Sequence, residues 1–118
     1  MATRFALVLH TSSPATLRVE AEQRQLLALL AALRLTPRLV DGADAANREL
    51  RAALWASPGA VRATYPFLFI ASRDGAAGAE TFEAVGDFAV VAALHEGAQH
   101  RQVAHAEGDL ARRLAGCA

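Results

Sequence analysis

Five apolar residues in a row, FALVL (5–9), stand close to the start of the chain. A run this short with no polar interruption fits a strand buried on both faces, since a half-exposed strand would alternate apolar with polar. Such a strand needs a covering layer on each side. A layered α/β domain is therefore the first expectation, and the rest of the chain supplies the layers.

After FALVL the chain meets a corner, TSSPAT (11–16), where Thr16 or a neighbouring hydroxyl can cap a helix. That helix is expected to reach Leu35, with Val19, Leu26, Leu30 and Leu33 as one stripe and Leu27 and Leu29 widening it. Thr36 and Pro37 stop it, and RLVD (38–41) reads as a second strand. Asp44 is placed to cap a second helix, Ala45 to Ala56, with Ala46, Leu50, Ala53 and Leu54 inward. YPFLFIAS (65–72) reads as a third strand. Pro66 has no N–H for a ladder, so it belongs at that strand's start or edge. RDGAAG (73–78) predicts a turn plus at most a short strand, antiparallel to the third. ETFEAVGDFAVVAAL (80–94) predicts a helix with Phe82, Val85, Ala89 and Ala92 or Ala93 inward, closed by Gly97. A last helix is expected from Ala98 on, with Val103, Leu110 and Leu114 as a weak stripe. The order is β-α-β-α-β-(β)-α-α, a small mixed sheet between helices.

With 118 residues the chain fits one domain, long enough to bury about two thirds of its unfolded surface without metal or disulfide. All 12 basic residues are arginine, they are scattered, and net charge is zero, so the basic stripe of a nucleic-acid interface is missing. Cys117 is the one cysteine, which excludes an internal disulfide or a CxxC pair; it is expected to be a thiol on a fraying tail. The first strand leaves no room for a cleavable leader, and LLALLAALRL is too short to span a bilayer. A cytoplasmic, soluble protein without membrane insertion is the expectation. His95, His100 and His105 are five apart, which turns each about 140° from the last on a helix, so no metal site is expected.

The corner and the proline-led strand together resemble the thioredoxin fold, glutaredoxins in particular. Those proteins carry C-P-x-C at the first corner, where this chain reads Ser13-Pro14-Ala15-Thr16. They carry T-V-P before an apolar strand, where this chain reads Thr64-Tyr65-Pro66 before FLFI. The chain is more similar still to the small Src-homology-3-binding glutamate-rich-like proteins, glutaredoxin-shaped relatives without the cysteines. TSSPAT, EQRQLLALL, VDGADAANRELR and Tyr65-Pro66 match their landmarks in order, over roughly residues 4 to 95. The proline-rich PxxP segment of those relatives is missing here, so recognition through a polyproline helix is not supported.

The resemblance implies a three-layer thioredoxin-like domain over 1–96 and a cis-proline at Pro66; the expected C-terminal helical extension over 97–118 lies outside the shared pattern. The resemblance also implies a function without redox turnover. Thiol–disulfide exchange needs a thiolate, and a serine hydroxyl is far too weak an acid to replace it. Hydrolysis by Ser13 needs a base; His10 is near in sequence, but no carboxylate obviously orients it. A glutathione transferase serine would need a second, helical domain, which the tail is too short to form. The expected role is a protein-interaction module, an adaptor or a fixed subunit of a larger assembly, with no cofactor. Its contact surface would be Ser12, Ser13, Pro14, Thr16, Thr64, Tyr65 and Pro66, with Tyr65 facing the corner and Trp55 in the core. The alternative is a glutathione-binding or degenerate glutaredoxin-type protein using His10, Thr64, Tyr65, Glu80 and Thr81. In that reading Glu80 and Thr81 open the third helix, where the tripeptide's carboxylate would sit.

Overall fold

The computed structural model describes residues 2–74, 80–100, 113, 114 and 117. The turn expected at RDGAAG lies mostly outside them, as do Val103, His105 and Leu110 of the expected last helix. The elements are β1 (Ala2–His10), α1 (Leu17–Ala32), β2 (Arg38–Asp41), a 3-10 turn (Ala45–Asn47), α2 (Arg48–Trp55), β3 (Phe67–Asp74), β4 (Glu80–Asp87) and α3 (Phe88–His100). The four strands form one mixed sheet in the order β2-β1-β3-β4. β1 runs parallel to β2 and antiparallel to β3, and β3 runs antiparallel to β4.

β1 is buried on both faces, as its unbroken apolar run requires. Ala6 and Val8 join Leu68 and Ile70 under α1 and α3, where Leu26, Leu30 and Val91 close the layer. Leu7 and Leu9 join Phe67, Phe69 and Ala71 under α2, where Leu54 closes the other. Burying each such leucine contributes about 1.5–3 kcal/mol, so the two clusters supply the main drive to fold. Leu54 is fully buried and Leu50 packs at the edge, but Ala46 and Ala53 are exposed, contrary to the four-residue inward face expected. The 3-10 turn offsets the start of α2, so the expected stripe is not continuous.

Helix α1 begins where Thr16 accepts a hydrogen bond from the Val19 amide at 3.1 Å. It ends earlier than Leu35 in a Schellman turn. Leu35 N–H donates to the Leu30 carbonyl at 3.0 Å and Arg34 N–H to that of Ala31 at 2.9 Å. Arg34 takes the left-handed conformation, φ 62°, that glycine usually supplies there.

The expected helix over 80–94 is corrected. Residues Glu80–Asp87 are a strand and the helix starts only at Phe88. Phe82 and Ala84 face the α2 layer at strand spacing, while Val85, in the opposite layer, sits at a register shift against Leu68 and Phe69. Phe82, Val85 and Ala89 also fit helical spacing, so the local pattern was ambiguous. Pairing with the otherwise open edge of β3 decides it. Gly86 permits the sharp turn into α3, because a Cβ there would lie 2.5 Å from the Cβ of Val90.

α3 continues through Gly97 to His100, contrary to the stop expected at that glycine. Further on, Leu114 is buried in the α1/α3 layer, and Cys117 pairs in parallel with Arg4 at the edge of that layer. Arg113 donates to Glu83 and to the Ala84 carbonyl, both at 3.2 Å. Cys117 is therefore anchored rather than frayed, and burial pushes its thiol above the ordinary range. No helix among the described residues is long and apolar enough to cross a membrane.

Candidate functional site: the corner after the first strand

The corner is held by side chains from two elements, α1 and β2, and by its own Thr11. Gln23, on the second turn of α1, clasps the backbone of Thr11. Its Oε1 accepts from the Thr11 amide at 2.7 Å and its Nε2 donates to the Thr11 carbonyl at 3.1 Å. Thr11 Oγ1 accepts from the Ser13 amide at 3.1 Å. Asp41, at the end of β2, accepts from the amides of Ser12 (3.0 Å) and Ala43 (2.9 Å) through one carboxylate oxygen. The Ser12 side chain beside this carboxylate is the main cause of its lowered pKa, followed by the two amides and the charge of nearby His10. Strand register sets His10 beside Asp41.

The residues before β3 complete the site. The Tyr65–Pro66 bond is cis, and Pro66 is buried. Thr64 and Tyr65 line two open cavities. One, of ≈440 Å³, also includes Thr11, Ser13, Ala15, Val19 and Ala63. The other, of ≈320 Å³, lies between the start of α1 (Thr16, Val19, Glu22) and the start of α3 (Asp87, Phe88, Ala89). Ser13, Thr16, Thr64 and Tyr65 are thus brought together although about fifty residues separate the two segments. Ser12 is exposed and engaged with Asp41, and Pro14 is half-buried beside the cavities without lining them.

The placement of Glu80 and Thr81 changes. Glu80 and Thr81 open a strand, not a helix, and their rungs pair with Arg73 and Ser72 at the far end of the sheet. That end is about 20 Å from the corner at 3.3 Å per residue. Glu80 is occupied there by Arg73 (2.6 Å) and Arg38 (3.1 Å), which hold its carboxyl below the ordinary range. The helix start that does face the corner carries Asp87, whose carboxylate accepts from the Val90 amide at 3.0 Å. Tyr65 lines both corner cavities and makes contacts beyond them as well. Its ring packs over Gly42, where a Cβ would overlap it, and meets Trp55 edge to face at 5.6 Å. Tyr65 and Trp55 are both half-buried and form one aromatic wall.

Chemically, the corner offers hydroxyls and amides but no activated nucleophile. Among the described residues no hydrogen bond joins the Ser12 or Ser13 hydroxyl to His10, the contact a serine hydrolase relay needs. Among the described residues no group of three His, Cys, Asp or Glu side chains could hold a metal. Gln23 and Asp41, central to this geometry, were not singled out from the sequence. Gln23 reads as an ordinary helix former; Asp41 before Gly42 carries the weak signal of an Asx turn. The chain matches no protein-family model, and a search of curated proteins finds no significant match.

Proposed function

We propose that this chain is a thioredoxin-like domain, of glutaredoxin type, that has no redox turnover and serves as a protein-interaction module. The mixed four-stranded sheet with three helices is compatible with that fold. The observation that carries the functional reading is the meeting of a sulfur-free hydroxyl corner with the segment Thr64-Tyr65-Pro66 around two open cavities. Beside them Leu17, in the first turn of α1, is 83% exposed, an apolar contact for a partner protein. Adaptor and fixed subunit of a larger assembly are both forms of this role.

Glutathione is the weaker reading. Glu22 and Asp87 line the groove between α1 and α3, and Arg18, the cation there, is paired with Glu22 at 3.5 Å. A tripeptide with two carboxylates would meet acid there. The test pairs affinity purification of the intact chain with the Leu17→Glu and Thr64→Arg variants. A partner retained by the intact chain and lost by both supports the interaction surface; equal recovery from all three refutes it. Saturable heat in a glutathione titration, abolished by Thr64→Arg, would favour the alternative, and turnover in an insulin-reduction assay would overturn the redox-silent reading.

A further inference from the structure

A separate cavity of ≈420 Å³ opens on the α2 side of the molecule, lined by Arg48, Arg51, Ala52, Trp55, Ala56 and Arg62. Three of its six lining residues are arginines and none is acidic. Among the described residues four arginines elsewhere pair with carboxylates: Arg18 with Glu22, Arg38 and Arg73 with Glu80, and Arg113 with Glu83. The cavity arginines do not. Arg51 is fixed by donating to the Gly42 carbonyl at 2.6 Å, while Arg48 and Arg62 are exposed and have no ion pair or hydrogen bond among the described residues. Gathering three guanidinium groups at one cavity leaves repulsion that an anion would relieve.

The remaining lining is Ala52, Ala56 and one aromatic ring, Trp55. The Trp55 indole is held edge to face by Tyr65, Phe67 and Phe69 at ring separations of 5.6, 6.1 and 6.4 Å, and it lines the cavity. Guanidinium forks match phosphate oxygens in pairs, and a fixed indole offers a stacking surface of about purine size. The volume lies in the usual range for small-ligand sites. We propose that this cavity binds a small phosphoester carrying a planar ring, of the nucleoside monophosphate class. A phosphopeptide fits less well: its backbone needs hydrogen-bond partners, and most of the lining is helix α2, whose interior amides are spent within the helix. A nucleic-acid strand would need a longer basic track than one pocket on a chain of zero net charge.

Trp55 is the chain's one tryptophan, so its fluorescence reports the site directly. The full chain is titrated at low salt with adenosine monophosphate, adenosine, inorganic phosphate and phosphotyrosine, with calorimetry in parallel. Saturable quenching by adenosine monophosphate is expected, with weaker binding of adenosine and of phosphate alone. Arg48→Ala and Arg62→Ala should each weaken it about five- to tenfold, the loss of one charge-assisted contact. Arg24→Ala, on α1, should leave it unchanged. Both cavity arginines are exposed, so the variants should fold, which circular dichroism checks. No saturation, or equal affinity in the Arg48→Ala/Arg62→Ala double variant, would overturn the proposal. Phosphate binding as tightly as adenosine monophosphate would overturn its ring component, and tighter binding of phosphotyrosine would overturn the ligand class.

Discussion

Replacing Gln23 with alanine removes both hydrogen bonds that fix the backbone of Thr11, at 2.7 and 3.1 Å. Thr11 is 8% exposed, so water is poorly placed to substitute for either. Each bond contributes about 1 kcal/mol net, giving a loss of about 2 kcal/mol, and the better helix propensity of alanine returns about 0.3 kcal/mol. The net cost is then about 1.7 kcal/mol, or roughly a 7 °C fall in melting temperature at about 4 °C per kcal/mol for a chain of this size. Gln23→Glu is the sharper variant. It keeps an acceptor for the Thr11 amide but sets a carboxylate against the Thr11 carbonyl, so it should be destabilised at pH 7 and recover as the carboxyl protonates. Urea unfolding and hydrogen exchange of the Thr11 amide measure both effects. If Gln23→Ala stays within about 0.5 kcal/mol of the parent and the Thr11 amide remains protected, the clasp does not hold the corner.

Asp41 and Glu80 both have pKa values lowered in the folded state, the first chiefly by the Ser12 hydroxyl and the second chiefly by Arg73. Their stabilisation is present above the ordinary carboxylate range near pH 4 and is lost as pH falls through the lowered folded values; Asp41→Asn and Glu80→Gln should each flatten the acid limb of a urea-midpoint profile, and an unchanged profile would contradict the assignment. Leu114→Ala should cost about 3 kcal/mol in thermal or urea unfolding, because its side chain is 3% exposed within the α1/α3 layer; an effect under about 0.5 kcal/mol would place Leu114 outside the core. Arg34→Gly should raise stability by about 0.5–1 kcal/mol, since glycine avoids the left-handed penalty at φ 62° at a smaller cost in unfolded-state entropy.

The local features of this fold were legible because short-range chemistry controls them. FALVL announced a strand covered on both faces, Thr16 and Asp44 capped the segments they precede, and Pro66 marked the entrance to β3. What required the folded chain was every choice between two locally acceptable answers. Residues 80–87 carry helical and strand spacing at once, and hydrogen bonding to β3 selects the strand. Glu80 and Thr81 were thereby carried to the far end of the sheet from the corner. Gln23 and Asp41 converge on residues 11 to 13 from different elements, a meeting no local window records. Leu114 and Cys117 return to the first strand's layer from more than a hundred residues away. Periodicity and capping come from neighbours along the chain; strand partnership and convergent side chains come from contacts that exist only once distant segments have packed.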